Sequence, residues 1–172
     1  MFLTNVLAAP IVLCALTAVL TAQVPFRETP ASRNEHSKLV GSWIITVTPD
    51  PTPGAPPITN YVLHTYGSDG TVISIGRSAV SPVPAIQNLG NQLSGAVGDW
   101  VPLGNRQFME TIIALIFKDG VPGGFQRVRV IIKLDETLNA FTHTAVAEFL
   151  DLKGNVVFSG TSKGAGNRVT LQ

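Results

Sequence analysis

The sequence predicts an all-β protein, an antiparallel up-and-down meander of about eight strands that closes into a barrel. Three observations point there. The chain is 45% hydrophobic and only 13% charged, where an average domain is about a quarter charged. It carries 16 Gly and 12 Pro, a supply of turn makers that suits short strands better than a helical bundle. Apolar and polar residues then alternate with period two through run after run, most of them joined by short turns. A meander of this kind leaves two open edges unless it closes on itself. At 172 residues the chain is one domain in length, and long enough for a core that needs no staples.

Residues 1–22, MFLTNVLAAPIVLCALTAVLTA, hold no charged side chain. An apolar run from Val6 to Leu20 ends in the small residues Thr21 and Ala22, the pattern of a secretory signal peptide cut near Ala22. Export would make the protein secreted or periplasmic. The alternative is an uncleaved helix that anchors the chain, since the run approaches the ~20 residues that cross a bilayer. Cys14 is the one cysteine, so a cleaved chain has none. Residues 23–37, QVPFRETPASRNEHS, are polar, contain proline and show no period; they read as a flexible arm, with His36 solvated.

The barrel domain is read from 38 to 172. In KLVGSWIITVTPD (38–50), Trp43, Ile45 and Val47 share one strand face and Ile44, Thr46 and Thr48 the other. Four prolines between Pro51 and Pro57 exclude a central strand and make a long loop. Residues 58–76 hold two β-rich runs around Gly67-Ser68-Asp69-Gly70, a hairpin signal. Tyr61, Leu63 and Thr65 face one way, and Val62, His64 and Tyr66 the other. Residues 78–98 read as a loose connection with a short helical turn near Ala85 to Leu89. Strands follow over 98–103 and 105–120. The second is apolar on both faces, with Phe108, Ile112, Ala114 and Ile116 opposite Met109, Ile113, Leu115 and Phe117. Such a strand is covered on its outside or lies at a contact between subunits, so residues 108–117 are the candidate for homo-oligomer formation. The remainder parses as strands 125–135, 138–150, 156–163 and 168–171, with a turn at Gly164-Ala165-Gly166-Asn167.

Gly41-Ser42-Trp43 at the head of the first strand and Arg168 in the last resemble the calycin group, the lipocalins and their lipocalin-like relatives. The resemblance spans about residues 38–172. It implies a lipocalin-like barrel in which Trp43 plugs the closed end, Arg168 packs across the indole, and Gly41 lets the backbone bend on entry. These three residues would close the barrel rather than touch a ligand. The usual Thr-Asp-Tyr motif between middle strands is absent, and so are paired cysteines.

The net charge is +1 with Lys and Arg scattered, which gives no electrostatic case for nucleic acid. No His or Cys spacing suits a metal, no motif implies a cofactor, and Gly120 to Gly124 lacks the Lys-Ser/Thr of a phosphate loop. A nucleophile elbow is not expected. The better leads are polar residues embedded in strands. His64, Tyr66 and Glu110 are the candidate catalytic groups, because a carboxyl group in an apolar cavity takes a raised pKa and can act as a general acid or base. Tyr61, His64, Tyr66, Glu110, Phe141 and His143 are the candidate ligand residues. Alternation gives Glu110 and His64 two placements, interior or solvent face. Arg127, Arg129 and Lys133 are expected outside, because the Val/Ile/Leu set opposite them needs the core.

Three functions fit. The first is a secreted barrel that binds a small hydrophobic molecule in its interior. The second is a small β-barrel cyclase or isomerase that acts on a reactive hydrophobic substrate by confinement and one or two polar groups. The third is a filled barrel that serves as an oligomeric interaction domain. Convergence of Glu110, His64 and Tyr66 on one point would favour the enzyme, a uniformly apolar cavity the carrier, and a filled interior the third.

Overall fold

The computed structural model describes residues 30–51, 58–76 and 83–170. The leader, residues 52–57 of the proline-rich loop and residues 77–82 lie outside the described residues. A helix, α1 (Pro30–Leu39), leads into β1 (Gly41–Pro49), β2 (Asn60–Tyr66) and β3 (Thr71–Gly76). A single turn of helix, α2 (Pro84–Gln87), precedes β4 (Gln92–Gly104), β5 (Gln107–Lys118), β6 (Val121–Leu134), β7 (Ala140–Asp151) and β8 (Val156–Arg168). Each strand pairs antiparallel with the next, and β8 returns to β1 from Trp43↔Arg168 to Pro49↔Ser162, so the eight strands form a closed up-and-down barrel.

The turns show why these boundaries hold. Asp69 accepts from the Thr71 amide at 3.0 Å and from the Thr71 hydroxyl at 2.6 Å, fixing the β2–β3 hairpin. Asn105-Arg106 and Asp119-Gly120 both take positive φ at two consecutive residues, the tight two-residue turns whose twist matches antiparallel strands. The second of these starts β6 at Val121, ahead of the Phe125 expected from sequence. Asp135 and Asp151 accept from backbone amides across the β6–β7 and β7–β8 turns.

Three other expectations are corrected. Residues 30–39 form a helix where the arm was read as irregular, and the His36 ring packs edge-on against Trp100 at 4.1 Å between centroids, where solvation was expected. Residues 92–98 belong to β4 and not to a loose connection. Finally, β8 runs straight through Gly164–Asn167, where a turn was read. Those glycines answer a packing demand: a Cβ at Gly164 would come within 1.8 Å of the Thr46 carbonyl oxygen, and one at Gly166 within 2.3 Å of the Phe141 ring.

Burial alternates along the strands as the period-two rule requires. On β5, Phe108, Glu110, Ile112, Ala114 and Ile116 are buried, while Met109, Ile113 and Leu115 point outward and are 40%, 47% and 37% exposed. No other described element covers that outer face. Arg127 and Arg129 lie outside as expected, both on Glu148 of β7, at 2.7 Å and 3.1 Å.

One end of the barrel is shut by α1. Leu39 and Trp43 are fully buried there, and the indole Nε1 donates to the Leu39 carbonyl at 2.9 Å. The Arg168 guanidinium lies over the Trp43 ring, 4.3 Å from its centroid. It donates to the carbonyls of Lys38, Val40 and Leu138 at 2.6, 2.6 and 3.0 Å. Gly41 adopts φ 128°, and a Cβ there would meet Arg168 Nη1 at 2.8 Å. The opposite end is partly filled by Ile86 and Leu89 of the α2 segment, packed with Ile116, Phe149 and Phe158.

Candidate functional site

Between these two ends lies a cavity of about 500 Å³. An eight-stranded barrel is just wide enough for its side chains to fill it or for one small ligand, so the choice rests on side-chain size. Here β8 decides it. By alternation and register its inward positions are Phe158, Gly160, Ser162, Gly164 and Gly166. Four of these five bring almost no volume. Ala96, Ala114, Ala145 and Ala147 add further small residues to the wall. The sequence carried this signal, as small residues at every second position from 160 to 166, but Gly164 and Gly166 read as a turn.

The walls are mainly apolar, from Ile45, Val62, Ile112, Val128, Val130 and Ile132 among others. Polar groups gather toward the closed end. Glu110 is fully buried, and His64, Tyr66 and His143 are within 7% of it. The Tyr66 hydroxyl donates to Glu110 Oε2 at 2.6 Å. His64 Nδ1 lies 3.1 Å from the same hydroxyl oxygen and 3.5 Å from Glu110 Oε1. A phenol has one proton. With that proton directed at Glu110, the oxygen accepts from His64, and the hydrogen-bond pattern assigns a proton to Nδ1. Burial, reinforced by the adjacent Glu110, pushes the Tyr66 pKa well above the usual phenol value, so the hydroxyl stays a donor. His143 is held below its ordinary pKa, chiefly by burial; Glu110 opposes that shift and His64 adds to it.

Two atoms of this group are unmatched: Glu110 Oε1 and His143 Nδ1 are buried without a hydrogen-bond partner. Buried polar atoms are nearly always paired, and each exception calls for an explanation. The cluster is therefore a site with spare hydrogen-bonding capacity at one end of an apolar cavity.

Five of the six candidate ligand residues meet here: His64, Tyr66, Glu110, Phe141 and His143 all line the cavity. Tyr61 does not. It is 66% exposed on the outer face of β2, one residue out of phase with His64, and it shares the outward side with Leu63 and Thr65. Ser74, buried on the inner face of β3, was not singled out from sequence; its phase opposite His64 in the hairpin register would have found it. Among the described residues no group of three or more His, Cys, Asp or Glu could hold a metal ion. The spacing Gly-x-Ser-x-Gly occurs at Gly160 to Gly164. It lies in the middle of β8, with no helix after it, so Ser162 is not on a nucleophile elbow.

Neither a protein-family model nor a curated protein matches this chain. Among solved structures, the S-type phycobiliprotein lyase from Guillardia theta is similar, at 10% identity and a TM-score of 0.40, over 83% of this chain and 94% of that one. A likeness at that level carries no functional information.

Proposed function

We propose that this protein binds one small, mostly apolar molecule inside the barrel, with a polar group of that molecule set against His64, Tyr66, Glu110 and His143. The observation that carries the reading is the pairing of an apolar cavity of about 500 Å³ with two buried, unpartnered polar atoms at its inner end. Volumes of about 300–1,000 Å³ with a few convergent polar groups are typical of small-molecule sites. The Arg168–Trp43 closure supports placing the chain with the lipocalin-like barrels that Gly41-Ser42-Trp43 resembles. Export belongs to the same reading, with the apolar leader removed near Ala22.

Native mass spectrometry of the chain from Gln23 onward, purified from its own host, tests this directly. A co-purifying molecule at one per chain is the expected result, lost in Ala145→Phe, which fills the wall while preserving the strand. Apo protein in both samples would overturn the carrier. N-terminal sequencing of the exported protein is expected to begin at Gln23; retention of residues 1–22 in a membrane fraction would favour the anchor instead.

The convergence of Tyr66 and His64 on Glu110 favours a second reading, a cyclase or isomerase. A buried carboxylate with one oxygen free, beside a phenol and an imidazole, is the equipment for moving a proton on a bound substrate. Conversion of the co-purified molecule by the wild type, abolished in Glu110→Gln, would select that reading over simple binding.

A further inference from the structure

The free atoms at the inner end of the cavity also constrain the chemistry of whatever binds there. Resting on the binding reading above, we infer that the polar end of the ligand is an uncharged hydroxyl group, and not a carboxylate or an ammonium, and that Glu110 Oε1 is the atom that receives its proton.

Three observations carry this. First, among the described residues the cavity lining includes Glu110 and Asp50 but no Lys or Arg. The Arg168 guanidinium, at the closed end, is committed to three backbone carbonyls and the Trp43 ring. A carboxylate driven to the inner end would meet the Glu110 carboxyl group with no Lys or Arg among the described lining residues to compensate it, and an unpaired buried charge is strongly disfavoured. Second, Glu110 Oε1 needs a donor. Oε2 already has the Tyr66 hydroxyl, and that hydroxyl has no second proton to give. Third, the donor demand is small. Glu110 Oε1 and His143 Nδ1 are the only partnerless buried side-chain atoms here. The His143 ring packs close over Gly164, where a Cβ would come within 2.7 Å of Cε1. An ammonium brings three N–H groups and no lone pair, so it would replace one unmatched atom with others. A hydroxyl brings one proton for Oε1 and lone pairs for an Nδ1–H of His143.

The test is a matched set sharing one tail: decanol, decyl methyl ether, decanoate and decylamine, titrated into the mature chain by calorimetry. Decanol is expected to bind about tenfold tighter than the ether, since the hydrogen bond to the buried Glu110 oxygen is lost in the ether and leaves that atom unmatched, and tighter than the acid or the amine. Glu110→Gln keeps an acceptor for Tyr66 but turns an N–H₂ toward the cavity. It is expected to narrow or reverse the preference for alcohol over ether. Decanoate or decylamine binding as tightly as decanol to the wild type would overturn the hydroxyl assignment while leaving the binding reading standing, and the wild-type set decides this even if the variant fails to fold. An unchanged alcohol-to-ether ratio in a folded Glu110→Gln would remove Glu110 from it. If none of the four binds, both the assignment and the binding reading fall.

Discussion

Two ionisable side chains of the barrel, Arg168 and Glu110, are treated in opposite ways. Arg168, at the closed end, spends its donors on three carbonyls and its face on an indole. Glu110, nearer the middle, is fully buried yet leaves one oxygen with no partner. A charged group that is fully matched by its own chain contributes to stability. One that is half matched lowers stability until something else completes it. Under the proposed function, the contrast separates residues that hold the barrel shut from residues that a ligand would complete.

The largest effect is expected at Trp43. Trp43→Ala removes a fully buried side chain together with the platform for Arg168. It should cost about 3–5 kcal/mol in chemical denaturation; a loss below about 1 kcal/mol would mean that α1 and the strand ends close the barrel without it. Next comes Arg168→Lys. A lysine retains the charge but has no planar fork to serve three carbonyls, so about 1–3 kcal/mol should be lost, with ligand binding unchanged once the protein is folded. Loss of binding at full folding would place Arg168 with the ligand groups and dissolve the comparison. Glu110→Gln should do the reverse. Its stability in the absence of ligand should move by less than about 1 kcal/mol in either direction, because it removes an incompletely matched group, while ligand affinity falls.

The smallest effect concerns pH. Burial holds the His143 pKa below its ordinary 6.5, so the unfolded chain takes up this proton before the folded one does. Stability from this residue is therefore complete above 6.5 and is lost as pH falls through that value toward the folded pKa. Glu110 and His64 face the same ring and pull in opposite directions, so burial sets the sign of the shift. Urea titrations of wild type and His143→Phe across this range should diverge on the acid side; parallel curves would show that His143 does not carry the dependence.

Much of the architecture was legible because period-two alternation and Asp/Gly turn chemistry are local. The 58–76 hairpin and the inner set His64, Tyr66, Phe141 and His143 follow from phase alone once the phase is set by Trp43 and Ile45. Glu110 was legible as a candidate, but its placement was not: on a strand that is apolar on both faces, alternation has no polar side to follow. Tyr61 was taken with its neighbours for its chemistry although its phase put it outside. The run 164–167 was misread because glycine signals turns when only local conformation is considered, whereas here the reason is distant: the Thr46 backbone and the Phe141 ring press on β8 from sites far away in sequence. Helix α1 was missed for a related cause. Its sequence is polar and its anchoring contacts, Leu39 at the closed end and His36 on Trp100, become visible only after the barrel has folded.

The bare inner face of β8 has a consequence for change over generations. At Gly164 and Gly166 an added methyl group collides with backbone or ring, so the fold forbids it. At Gly160 the nearest atom to an added Cβ is the Phe158 ring, at 3.3 Å, close enough to need only a small shift of one side chain. Position 160 therefore works as a graduated stop. Under the proposed function, a single substitution there would shorten the space open to a guest by about one carbon, with the strands, the floor and the polar cluster keeping their places. A barrel that binds as proposed could exchange one length of guest for another by a short step at this single residue.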